Sequence, residues 1–221
     1  MKFIDTEKTT IIEFIEHISK LTNTDKNKNI LDAGAGGKQP YKKYFKHLNY
    51  ESTDFTYNKN HAFICSLEDI PKPNNSYDYI LCTQVLEHIS NPQQAINELY
   101  RILNKGGLLF LTAPQGWGLH LKPYHYFNFT RYGLKHLFKN TGFSYMIIEE
   151  RGGMFFYLSK RIKTLTPYIL SQYFNKKGLY YKILFYLSLI ITLPICFIFY
   201  YLDRLDKDKD YTLGYKCILI K

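Results

Sequence analysis

The sequence predicts a doubly wound α/β domain, a mostly parallel sheet with helices on both faces. Three observations carry that expectation. Short apolar runs alternate with helix-length intervals or turns through residues 28–150, the pattern of strands buried on both sides by crossover connections. The first run, Ile30-Leu31-Asp32-Ala33, breaks into Gly34-Ala35-Gly36-Gly37; an apolar strand ending in glycines lets backbone groups approach a nucleotide closely. Asp54 closes the next apolar run, placed to accept both hydroxyls of a ribose.

The elements follow in order. Ile11, Phe14, Ile15, Ile18 and Leu21 recur at helical spacing, which gives an opening amphipathic helix. Strands are expected near 29–33, 50–53, 62–65, 79–83 and 108–112. A helix over 92–104 has Asn91 as its cap, Pro92 in its first turn and Gly106 as a left-handed stop, with Ile96, Leu99 and Leu103 toward the sheet. A second helix, 131–140, is capped by Thr130 and stopped at Gly142, and a strand follows at 143–148. Residues 211–220 alternate as a final strand. The whole of 1–221 reads as a single domain with its core at 28–150.

Between these last two strands lies an uncharged run, 183–202, long enough to span a bilayer. A single span would put the final strand on the far side of the membrane from its sheet, and Pro194 interrupts the run. The expectation is therefore an apolar helical insertion at about 155–205, with two short helices meeting near Pro194. Such helices lie in the headgroup region of a membrane or pack on the domain or on a second subunit.

Composition narrows the function. With 46% hydrophobic residues in 221 positions, the chain can bury one substantial core. Its four cysteines are scattered in apolar runs without a CxxC pair, so neither a disulfide framework nor a zinc site is expected, and the setting reads as cytoplasmic. The net charge of +10 is unevenly spread: residues 151–182 hold seven Lys and Arg and no acid. That excess adjoins the apolar run, which favours peripheral contact with an anionic membrane, on the inner face of the cell membrane, over nucleic acid.

Two further stretches carry chemistry. The apolar strand near 79–83 runs into Gln84-Val85-Leu86-Glu87-His88. Open α/β sheets bind ligands at strand carboxyl ends, so Glu87 and His88 project near the cleft; alternatively, His88 only supports the following helix. Residues 114–130 crowd Trp117, His120, Tyr124, His125 and Tyr126 between glycines and prolines, which suits a lid that shapes a pocket, or a merely packed aromatic loop.

Taken together, Leu31-Asp32-Ala33-Gly34-Ala35-Gly36, Leu67-Glu68-Asp69-Ile70-Pro71, Val85-Leu86-Glu87-His88 and Leu103-Asn104-Lys105-Gly106-Gly107-Leu108 make the chain resemble the class I S-adenosylmethionine-dependent methyltransferases, in particular the type 11 family. The resemblance covers roughly 28–150. It implies a Rossmann-like methyltransferase fold with seven strands, the last one antiparallel, and S-adenosyl-L-methionine as cofactor. Carried over residue by residue, it places Gly34 and Gly36 at the methionine portion of the cofactor and counts Asp32 among the cofactor-binding residues. It places Asp54 on the ribose, Ser66 and Leu67 by the adenine, and Gln84 under the sulfonium.

The chain departs from the family pattern at three places. Lys38 stands where glycine is usual, Ser66 where many relatives carry an acid, and His125 and Asn128 where relatives have Asp and Arg. The implied reaction is methyl transfer to oxygen on a small or a lipid- or glycan-linked acceptor. His88, His125 and His120 are the candidate bases, because imidazole titrates near neutral pH. No metal is expected, since no familiar ligand spacing occurs. Three alternatives stand beside this reading. An RNA methyltransferase would explain the charge but lacks an Asn/Asp-Pro-Pro-Tyr motif at Thr83-Gln84-Val85-Leu86. A catalytically silent, membrane-associated binding protein would keep the fold. A nicotinamide dehydrogenase would need glycine in place of Gln39.

Overall fold

The computed structural model describes residues 6–221, with side chains from Lys8 onward. The described residues form two compact units: residues 11–149 with 214–221, and residues 150–213 with 6–10.

The first unit is a seven-stranded sheet in the order β3-β2-β1-β4-β5-β7-β6. Its strands are β1 (Asn29–Ala33), β2 (Asn49–Asp54), β3 (Phe63–Ile64), β4 (Tyr77–Thr83), β5 (Leu103–Pro114), β6 (Tyr145–Glu150) and β7 (Gly214–Ile220). β1 through β5 pair in parallel, and β7 runs antiparallel to β5, Leu108 opposite Ile220 through Pro114 opposite Gly214. Alternate residues of each central strand feed opposite cores. Ile30, Tyr79, Leu81 and Phe110 pack with Ile11, Phe14, Ile15 and Ile18 of helix α1 (Thr6–Leu21). Leu31, Ile80, Cys82, Leu109 and Leu111 pack with α2 (Pro92–Ile102) and α3 (Arg131–Thr141). This is the double burial that continuous apolar strands require.

Local punctuation follows the sequence closely, with one correction. Asn91 caps α2 by accepting from Gln94 N, and Thr130 caps α3 by accepting from Gly133 N. Gly142 closes α3 in the left-handed region, φ 104°. Gly106, expected to stop the first of these helices, does not: α2 ends at Ile102, and Leu103 is already extended opposite Tyr77. Strand pairing takes over those residues, and the positive φ of Gly106 (74°) instead serves an irregularity in β5, where its N–H donates to Lys221 O.

The second unit is a helical hairpin of α4 (Met154–Tyr173) and α5 (Leu179–Leu202). Phe155 packs on Phe199, Phe156 stacks on Tyr200, and Cys196 Sγ contacts Ser159 O, so the helices run antiparallel. The expected pair of short helices meeting near Pro194 is corrected: α5 is one helix of 24 residues with Pro194 inside it. Packing against α4 carries it through the position where proline forfeits a backbone bond. The base of the hairpin is tied by acids from beyond α5. Asp203 accepts from Gly153 N and Phe156 N, and Asp206 accepts from Met154 N, meeting N–H groups that the first turn of α4 leaves unpaired.

Candidate active site

The sheet order reverses between β1 and β4, so the turns after these strands flank one crevice. In the first turn, Gly34 N and Ala35 N both donate to Thr53 O, 2.9 and 3.0 Å, which folds the turn over the end of β2. Gly34 has φ 79°, a region costly for side-chain-bearing residues. A Cβ there would lie 2.5 Å from Val85 Cγ2. Gly36 has nothing within 4 Å of the same position, so its backbone is open. Asp54 organises this edge: Oδ2 accepts from Gly36 N and Oδ1 from Thr56 N, each at 3.0 Å.

A cavity of about 730 Å³ opens here, within the range of small-molecule sites. Gly34, Gly36, Asp54, Ser66, Leu67, Gln84 and His88 all line it, which brings together seven of the ten residues singled out in the sequence. Phe55, 73% exposed, adds an aromatic rim beside Asp54. Its position directly after the acid is the one signal the sequence offered for it. Leu121, Lys122, Tyr124 and Tyr126 close the other side from the 114–130 loop; these wall residues were legible only as members of a crowded loop.

Gln84 holds φ 54°, with its N–H on Thr112 O and its Nε2 on Thr112 Oγ1. Left-handed backbone at a non-glycine residue is a local cost that surrounding structure must hold in place. It turns the chain out of β4 at the cavity.

Asp32 does not line the cavity. It is buried in β1, and Tyr50 donates to its Oδ2 at 2.6 Å. Burial pushes its pKa up to about 7, the Asp54 charge adds to that, and the Tyr50 hydroxyl opposes it.

His120 and His125 stand behind the wall, packed on His88. Ring centroids are 4.7 Å apart for His88–His120, 4.3 Å for His120–His125 and 5.6 Å for His88–His125. The loop that carries them is pinned to the turn after β4, because Tyr126 N and Phe127 N both donate to Glu87 O. Burial lowers the pKa of His88 and of His125, and neighbouring imidazoles add to the effect in both. Both therefore favour the uncharged form at neutral pH.

The residues present suit the cofactor the fold implies. The glycine turn offers open backbone at Gly36, Asp54 offers a carboxylate at the rim, and Phe55 and Leu67 offer apolar surface for a flat base. Sheet order, glycine turn and acid together make up the arrangement of a class I methyltransferase fold. The chain belongs to the methyltransferase-domain family, whose sequence profile matches residues 6–146.

Among curated relatives, a probable S-adenosylmethionine-dependent methyltransferase of Mycolicibacterium smegmatis is 28% identical over 96 residues, covering 41% of this chain and 36% of the relative. A ubiquinone biosynthesis O-methyltransferase of Coxiella burnetii is 29% identical over 105 residues, covering 41% and 45%. The chain thus matches less than half the length of these relatives. A crystal structure of a putative methyltransferase from Bacillus halodurans superposes with a TM-score of 0.54 at 14% identity, covering 93% of this chain and 96% of that one; it shares the fold.

Proposed function

We propose that this protein transfers a methyl group from S-adenosylmethionine to oxygen on a small or a lipid- or glycan-linked acceptor, working from the cytoplasmic side against an anionic membrane. One observation carries the reading: the glycine turn and Asp54 face the same cavity as His88, Tyr124 and Tyr126. A cofactor end and an acceptor end are thereby set side by side.

Bound S-adenosylmethionine would supply an electrophilic methyl group, so the protein's part is alignment, exclusion of water and removal of one proton. Gly34, Gly36 and Asp54 hold the cofactor in this reading, with Ser66 and Leu67 at the base and Gln84 toward the reacting end. The 114–130 loop covers the acceptor. His88 takes the acceptor's proton: its Nδ1 faces the Tyr124 carbonyl at 2.6 Å. A carbonyl only accepts, so Nδ1 carries the hydrogen and Nε2 is the basic nitrogen. Burial, with His120 and His125 adding to it, favours its uncharged form.

Membrane contact is proposed for the α4–α5 hairpin. Ile190 and Ile191 of α5 are 69% and 67% exposed, and Leu187, Tyr186 and Tyr180 are exposed with them. α5 is long and apolar enough to cross a bilayer, yet its chain returns to β7, which is paired with β5. A hairpin that enters the headgroup region and comes back satisfies both facts. Lys176 and Lys177 in the hairpin turn and Lys182 in the first turn of α5 supply charge for anionic lipid.

The test is calorimetric titration of the full chain with S-adenosylmethionine and S-adenosylhomocysteine, with NAD as control, then transfer of labelled methyl to membrane lipid and glycan extracts. Micromolar binding of the sulfur ligands and label in an ether-linked product support the reading. Folded protein that binds neither sulfur ligand overturns it.

A further inference from the structure

Glu87, His88, His120 and His125 form a cluster in which the methyl-transfer reading uses the imidazoles but leaves Glu87 without a role; an ion on His88 Nε2 would stand in for that nitrogen as the group that meets the acceptor. Glu87 is fully buried, 0% exposed. One ligand atom each from Glu87, His88 and His120 lies within 4.8 Å of the others, and His88 Nε2 is 3.9 Å from Glu87 Oε1. Donors held tetrahedrally at about 2.0–2.1 Å from zinc sit about 3.3 Å apart, so the His88–Glu87 pair needs to close by about 0.6 Å and the widest pair by up to about 1.5 Å.

The hydrogen bonds of the three rings reveal the pattern. His88 Nδ1 faces Tyr124 O at 2.6 Å, His120 Nδ1 faces Gly118 O at 3.0 Å, and His125 Nε2 faces Phe127 O at 3.1 Å. Each partner is a backbone carbonyl, so each ring nitrogen facing one is the protonated one. One lone pair per ring is left over: Nε2 of His88, Nε2 of His120 and Nδ1 of His125. That last atom is buried and makes no hydrogen bond. Fixing the tautomer through a carbonyl on the second nitrogen is how proteins prepare imidazole for a metal.

We propose that Glu87, His88 and His120 bind a divalent late transition metal of the zinc, cobalt or nickel class, with His125 beside them as a further nitrogen donor. Imidazole nitrogens with one carboxylate are the donor set such ions favour over magnesium or calcium. The sequence hid the site because its ligands come from two segments, the turn after β4 and the 114–130 loop, with no local spacing to betray it. Through His88 the ion would border the cavity, where a Lewis acid can hold an acceptor oxygen. That role rests on the methyl-transfer reading; the binding itself does not.

The experiment uses the full chain, stripped with chelator and titrated with Co²⁺ alone, then competed with Zn²⁺. One equivalent of Co²⁺ should bind with the strong visible bands of a low-coordinate site, and Zn²⁺ should abolish them. His120→Ala and Glu87→Gln should each weaken binding by about a hundredfold, at or beyond the largest loss seen for outer-shell partners, whereas His136→Ala should not. Far-UV circular dichroism and S-adenosylhomocysteine affinity are read on every sample. Glu87 is buried, so if Glu87→Gln fails to fold, His120→Ala, on the loop, decides the question. Absence of stoichiometric uptake, or equal uptake by folded His120→Ala, overturns the proposal. Cofactor binding without metal binding would sink the metal site alone; metal binding without cofactor binding would sink the methyl-transfer reading alone.

Discussion

Gly34 and Val85 meet across the crevice: a Cβ on Gly34 would lie 2.5 Å from one Val85 methyl and 2.7 Å from the other. The glycine turn after β1 and the turn after β4 are thus fitted to one another, and the close approach sets the floor of the cavity.

Gly34→Ala should therefore suffer twice, from the clash and from φ 79°. The expected cost is roughly 1–3 kcal/mol of stability, with cofactor affinity falling further. Gly34→Ala with Val85→Ala should recover the part owed to the clash and keep the part owed to φ. Urea midpoints and cofactor titrations on the three proteins measure this.

Asp54→Ala should weaken S-adenosylmethionine binding by about 1.5–3 kcal/mol, roughly ten- to a hundred-fold, through loss of charge-assisted bonds. Asp54→Asn should fall between, since its side chain keeps one acceptor for Gly36 N. Unchanged affinity in calorimetry would remove Asp54 from the site.

Asp32 predicts a pH dependence. Its folded pKa, about 7, lies above its ordinary value of 3.8. The stability it contributes is full below about pH 4 and is lost as pH rises through 7. Asp32→Asn stays neutral and can still accept from Tyr50. It should match the parent near pH 4 and exceed it by up to about 4 kcal/mol above pH 7. Denaturation midpoints from pH 4 to 8 provide the check; parallel curves would contradict a buried, protonatable Asp32.

The hairpin should co-sediment with vesicles containing phosphatidylglycerol more than with phosphatidylcholine alone. Replacing Lys176, Lys177 and Lys182 together by Ala should lower binding to the anionic vesicles by about 3 kcal/mol, near 1 per charge. It should leave the weaker phosphatidylcholine binding unchanged. Equal binding of both proteins to anionic vesicles would rule out these lysines as the contact.

The sequence by itself determined the sheet and its helices, because strand burial, caps and glycine turns are local signals. Asn91, Thr130 and Gly142 act where their chemistry places them, and the alternation of Tyr79, Ile80, Leu81 and Cys82 already assigns two faces. It also marked most of the cavity wall, since the ends of β1, β2 and β4 are set by the same signals.

Tertiary structure decided what depends on partners distant in the chain. Pro194 stays helical because α4 packs beside it, and Gly106 leaves the helix end to strand pairing. Asp32 is buried in β1 and takes its hydrogen bond from Tyr50 of β2. The Glu87–His88–His120–His125 cluster exists only when the loop folds onto the turn after β4, with Tyr126 and Phe127 donating to the Glu87 carbonyl. Periodicity reports which face of an element is buried, but not which distant side chain arrives to share that burial.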